Sequence, residues 1–231
     1  MSKTKSPDPW NRRVRALFWI VGVLCGGILT YTTRHFINGD AIAYLDMAEA
    51  FRTGFWSQSV LLGYSPGYSF LLAIFNIIFP PSPGKELFLA KYLNFMIFLA
   101  AMVACDLFVR RLIDELDRDS RKFPLPSQMI MAMCFSAFLV TSLIWVRIQI
   151  VAPDMLVFIF VLLSVTIILN IKRSPTGFRN FILLGLTIGL GYICKTFFLP
   201  FSLICFVFSG CYCLSLRRAA PRLLSAIMVM L

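Results

Sequence analysis

The sequence predicts an all-α, polytopic membrane protein with about six full spans, and three observations predict it. Of its 231 residues 59% are hydrophobic and only 14% charged, with a mean hydropathy of +0.81. A soluble domain needs far more polar cover than that. Uninterrupted apolar runs recur near residues 16–33, 87–109, 128–146, 155–171, 181–194 and 197–214, whereas a spanning helix needs about 17 to 25 residues. Lysine and arginine gather in patches at 3–15, 110–122, 172–179 and 217–222. These alternate with the runs as the positive-inside rule requires, provided that a shorter apolar stretch at 67–79 does not cross.

Taken in order, the basic segment 1–15 is a cytoplasmic tail, and residues 16–231 form the membrane domain. The start has the charged head of a signal peptide, but its apolar run is long and lacks a small-x-small cleavage site, so it reads as an uncleaved anchor. The first span leads outward, which makes residues 34–86 one long extracytoplasmic loop. Within it, "GYSFLLAIFNIIF" (67–79) has the length of an interfacial helix. The second span returns to the basic patch at 110–122, and the third goes out to Trp145, placing "VRIQIVAPD" (146–154) outside. The fourth comes back to "KRSPTGFRN", and the fifth and sixth meet at Lys195 on the outer side. The last run, "LLSAIMVML", stops after nine residues, an incomplete seventh span that gives the chain the look of a truncated product.

The net charge of +11 is thereby explained by topology and by anionic lipid at the inner leaflet. No aromatic-interleaved basic module points to nucleic acid. Seven cysteines lie in or beside apolar runs, where the thiol acts as a small hydrophobe, and no zinc spacing or disulfide framework is expected. His35, the sole histidine, reads as an interfacial polar residue. No phosphate-binding glycine loop and no Ser-His-Asp arrangement stands out.

The loop stretch "NGDAIAYLDMAEAFRTG" (38–54) concentrates three carboxylates in this greasy chain. Asn38 and Gly39 break the chain, Asp40 is a good N-cap, helical spacing follows, and Gly54 is a natural stop. At 100° per residue, Asp40, Tyr44, Met47 and Phe51 share one face, while Ile42, Asp46, Glu49 and Thr53 share the other, with Arg52 near enough for a surface pair. Capping explains Asp40 structurally, as it does Asp154 after Pro153, and a solvated helix face explains Asp46 and Glu49.

The order of "GDAIAYLDMAEAFRTG", "GYSPGYSFLLAIF", "APDMLVFIFVLL" and "GLTIGLGYICKTFFLPF", all placed on one side, resembles the membrane glycosyltransferases of the C-type superfamily (GT-C). The likeness is to the protein mannosyltransferase-like and aminoarabinose-transferase-like branch, over about residues 16–214. It implies a larger fold with further spans, a first outer loop whose aspartate acts on the acceptor, and surface helices, of which 67–79 would be one. It also implies transfer of a sugar from a polyprenyl-phosphate donor to a protein, lipid or glycan acceptor outside the cytoplasm. Asp40 matches the loop aspartate and would be the general base. Tyr44, Asp46 and Asp154 would line the substrate site. Lys91, Arg147 and Lys195, at outer ends of spans, would face the lipid phosphate, with snorkelling to the interface as their structural alternative. Asp40 with Asp154 could hold Mg²⁺ or Mn²⁺, but no metal or other cofactor is expected. A transporter or flippase, and a non-catalytic membrane fragment, are the alternatives.

Overall fold

A computed structural model describes residues 9–55, 63–82, 84–118, 124–175, 177–212 and 216–230, with backbone alone for residue 9 and residues 216–220. Lys3, Lys5, Arg121 and Lys122 of the basic patches, and Cys213, lie outside the described residues, as do the side chains of Arg217 and Arg218. The described chain is all-helical, without strand. Its helices are α1 (Pro9–Thr32), α2 (Gly39–Thr53), α3 (Gly67–Ile78), α4 (Glu86–Leu116), α5 (Ser127–Val140), α6 (Asp154–Arg173), α7 (Phe178–Cys194), α8 (Phe198–Cys211) and α9 (Leu216–Met230).

Four of these segments are long and apolar enough to cross a membrane: Trp10–Thr32, Glu86–Leu116, Ser127–Trp145 and Asp154–Arg173. This is the fold of a membrane protein. The fifth and sixth apolar runs form α7 and α8, of 17 and 14 residues, or roughly 25 and 21 Å at 1.5 Å per residue. Both fall short of a hydrocarbon core about 30 Å thick, as the marginal length of the fifth run, 181–194, already suggests. The last run belongs to α9, which starts at Leu216 and crosses α7 so closely that a Cβ on Gly185 would lie 2.2 Å from the Ala226 carbonyl oxygen. Helix α1 already begins at Pro9 and takes in Arg12, Arg13 and Arg15 of the basic segment.

Packing among the four long helices is aromatic. Phe18 of α1 stacks on Phe135 of α5 at 4.0 Å, and Phe138 of α5 stacks between Phe98 of α4 and Phe158 of α6 at 6.1 and 5.5 Å. Gly22 and Gly26 let α1 approach α4. A Cβ on Gly22 would come within 2.3 Å of Met102 and one on Gly26 within 2.6 Å of Phe98, the close approach that small residues four apart permit where no hydrophobic effect drives helices together. After Val140, α5 widens into one π turn, Thr141–Trp145, in which the Val146 amide bonds the Thr141 carbonyl at 2.8 Å.

The ends of the helices are chemically distinct. At one end, Arg15 of α1 donates from Nε and a terminal nitrogen to both oxygens of Asp106 of α4 at 2.8 and 2.7 Å. Arg110 adds a third contact at 3.0 Å. Nearby, Lys172 in the last turn of α6 pairs with Glu115 near the end of α4 at 2.7 Å. At the other end, the loop between α5 and α6 meets the starts of α2 and α4, and the carboxylates Asp40 and Asp154 open α2 and α6.

Candidate functional site

The site grows from the segment after α1. Asn38, with extended backbone, precedes α2 and uses its side chain elsewhere: Oδ1 accepts from the Val151 amide at 3.0 Å and Nδ2 donates to the Val151 carbonyl at 3.4 Å. The N-cap position therefore belongs to Asn38 and not to Asp40, which sits in the first helical turn, where the helix dipole favours a carboxylate. Gly54 ends α2 in the left-handed conformation, φ +82°, with its amide on the Ala50 carbonyl. Helical spacing places Tyr44 and Met47 on the buried face as expected, whereas Asp40, assigned to the same face, is exposed at the open end of the helix. Ala41, Tyr44, Met47 and Ala48 are buried, whereas Asp40, Ile42, Asp46 and Glu49 are exposed. Arg52 grips both oxygens of Glu49 at 2.7 and 2.6 Å, and this surface pair holds the Glu49 carboxyl below its ordinary value.

Three tyrosines lead inward from Asp40 in a chain. Tyr64, in the turn before α3, donates its hydroxyl to Asp40 Oδ1 at 3.0 Å. Its ring meets Tyr44 edge-on at 5.3 Å, and Tyr44 meets the fully buried Tyr68 in the same way at 5.4 Å. Ser69 of α3 donates to the Tyr44 carbonyl at 3.0 Å. The Tyr44 phenol is pushed up to about 12, first by burial and then by the negative charges of Asp154 and Asp40. Tyr44 thus lies within electrostatic reach of both carboxylates, and with its phenol raised it is not a proton source near neutral pH.

Asp154 is the first residue of α6 and forms an ion pair with Lys195, the residue that follows α7. Lys195 is exposed, just past the end of α7 at Cys194. The end of α7 reaches this rim by packing on α3. A Cβ on Gly67 would lie 2.9 Å from both Cys194 Sγ and the Ile193 carbonyl oxygen, so only glycine allows that approach.

The remaining expected residues fall differently. Lys91 is 1% exposed; its ammonium donates to the Gln149 carbonyl and lies 5.5 Å from the Phe36 ring centre. Together with Asn94, which donates to the Ile148 and Ile150 carbonyls at 3.3 and 2.7 Å, it ties the α5–α6 loop to α4. Asn94 also accepts from Tyr68 at 2.7 Å, so the loop and the tyrosine cluster share one anchor. Arg147 is exposed on that loop with φ +58°, unusual for a residue with a side chain, beside the 80% exposed Trp145. Asp46 is exposed on the face of α2 away from the tyrosines.

Sequence reasoning missed Tyr64 and Asn94, whose partners are 24 and more residues away in the chain. It also missed Asp106, for which a signal did exist: a carboxylate inside an apolar run with Arg110 four residues on. Among the described residues no group of three or more His, Cys, Asp or Glu is arranged to hold a metal, and the six described cysteines are free. Compared with protein-family models, curated proteins and solved structures, the chain matches none.

Proposed function

We propose that the protein is a membrane glycosyltransferase that moves a sugar from a polyprenyl-phosphate donor to an acceptor hydroxyl outside the cytoplasm. The observation that carries this reading is that Asp40 and the Asp154–Lys195 pair share one end of the apolar helices, where the Asn38–Val151 bonds tie the start of α2 to the loop that leads into Asp154. A lipid-linked substrate needs that combination: a carboxylate open to solvent, a cation close by, and a bilayer beneath for the chain.

In this reading the end bearing Asp106 and the arginines is cytoplasmic, by the positive-inside rule. The N-terminus then lies inside and the acidic rim outside. Helices α7 and α8 complete the count of six spans, their short length met by local thinning of the bilayer and by snorkelling of flanking residues. The GT-C likeness of the sequence agrees with this arrangement.

An acceptor hydroxyl is a poor nucleophile near neutral pH. Asp40 would accept its proton as the oxygen bonds to the anomeric carbon, and the bond from that carbon to the phosphate oxygen breaks with its electron pair leaving on the polyprenyl phosphate. Proton acceptance of this kind contributes about 10²- to 10⁴-fold. Lys195, released in part from Asp154, would meet the charge gathering on the leaving phosphate. Arg147, exposed beside Trp145 at the membrane boundary, would meet the same head group from the loop, whereas Lys91 serves by holding that loop in place.

The test is transfer from a radiolabelled polyprenyl-phosphate sugar in membranes carrying the full-length protein. Asp40→Asn should lower transfer by about 10²-fold or more with unchanged amounts of folded protein. Transfer at the parent rate would remove Asp40 from the chemistry and this reading with it.

A further inference from the structure

We propose that Tyr64 is the positioning residue for Asp40: by occupying Oδ1 it fixes the carboxylate plane and leaves Oδ2 as the oxygen that faces the acceptor. The inference rests on the transfer reading for the identity of that acceptor, but its geometry stands apart from it.

Asp40 is exposed, and an exposed aspartate on the first turn of a helix turns freely about its side-chain torsions. Against this freedom the structure sets one bond among the described residues, from the Tyr64 hydroxyl at 3.0 Å. A hydrogen bond to an ionised carboxylate is among the stronger kinds. Its value for orientation depends on how firmly the donor is held, and Tyr64 is held from below. The ring rests edge-on against Tyr44, Tyr44 against Tyr68, and the Tyr68 hydroxyl ends on Asn94 of α4 at 2.7 Å. Ser69 fixes the Tyr44 backbone at 3.0 Å. Just before Tyr64, Gly63 takes φ +95°, a turn that favours glycine and brings the ring back over α2.

The cluster thus forms one stack from the interior of α4 to the solvent edge of α2, and Asp40 is its last member. The same Asn94 holds the loop that leads into Asp154. Both carboxylates of the rim are therefore referenced to one buried side chain. Tyr64 remains a donor throughout the neutral range, because the bond to Asp40 and the charge of that carboxylate raise its phenol above 10.0. It touches neither donor nor acceptor sugar in this scheme and acts through Asp40 alone.

Two measurements on the full chain in lipid nanodiscs test this. In protein labelled with ¹³C at the tyrosine ζ carbon, the Tyr64 signal is assigned by its loss in Tyr64→Phe. It should titrate above ordinary tyrosine and move to lower pH in Asp40→Asn. The second measurement is kinetic. Tyr64→Phe keeps the ring and its stack on Tyr44, and should lower turnover about tenfold while the KM for donor stays within about twofold, since orientation and not binding is lost. A Tyr64 signal that titrates identically with and without the Asp40 charge overturns the inference, whatever the activity. So does Tyr64→Phe turning over at the parent rate while Asp40→Asn is inactive, a result that leaves the transfer reading standing. If Asp40→Asn itself turns over normally, the transfer reading falls, and the proposed role of Tyr64 in it.

Discussion

Asp106 and Asp40 are the same functional group at opposite ends of the helices, and their surroundings differ in every respect that matters for chemistry. Asp106 is buried between α1 and α4, and both of its oxygens are taken by Arg15, with Arg110 as a third partner. Asp40 is exposed, with one tyrosine hydroxyl on one oxygen. A carboxylate with both oxygens engaged joins helices and has little left for a substrate, whereas one half-engaged at a water boundary can accept a proton. Burial inside an apolar helix marks a charge as costly, yet here the costly charge is the structural one and the unspent charge lies at the rim.

This comparison predicts that the two ends respond differently to loss of a charge. Asp106→Ala should be the most damaging to the fold, costing about 2 kcal/mol because the partly exposed Arg15 and Arg110 lose their buried partner. Reversible unfolding in mixed SDS micelles, followed by helicity, checks it. A loss under about 1 kcal/mol would show that water and lipid head groups replace the carboxylate, and the contrast with the rim would weaken. Arg15→Met in the same protein should recover part of the loss by removing the unpaired partner.

At the rim, Lys195→Met should change stability by no more than about 1 kcal/mol, since both partners of the pair are half exposed. It should nevertheless slow transfer at least about tenfold if Lys195 meets the leaving phosphate. Loss of stability without loss of transfer would reverse the assignment and make this pair a structural staple like that of Asp106.

The smallest effect concerns Glu49 and Arg52. The Glu49 carboxyl is lowered from its ordinary 4.5 chiefly by the hydrogen bond from Arg52, so the pair stabilises fully above that value and its contribution fades as pH falls through the lowered folded value. Thermal unfolding of Arg52→Ala should therefore match the parent more closely at low pH than near neutrality. A difference that grows on acidification would contradict the sign.

Much of α2 was legible in the sequence, for a local reason. Its spacing, the Gly54 stop and the Glu49–Arg52 pair all depend on residues within a turn or two of one another, where period and propensity decide. The short helix α3 was legible by length. The N-cap lies two residues before Asp40, at Asn38, whose side chain goes to Val151, more than a hundred residues away. The same holds for Lys91. A cation five residues into a span reads as a snorkelling side chain, and nothing local says that the Gln149 carbonyl and the Phe36 ring lie beside it. Hydropathy marks apolar runs without marking where a helix ends, so α8 stops at Cys211, short of the run that reaches 214, whereas the run behind α7 is itself shorter than a span.

The segregation of charge between the two ends is the claim on which the rest depends, and labelling in intact cells tests it most directly. In a background without native cysteines, Ile42→Cys on the exposed side of α2 and Asp117→Cys after α4 each present one thiol, since both positions are exposed. A membrane-impermeant maleimide should modify the cysteine at position 42 from outside and the one at position 117 only after permeabilisation. Modification of both from the same side would contradict the account.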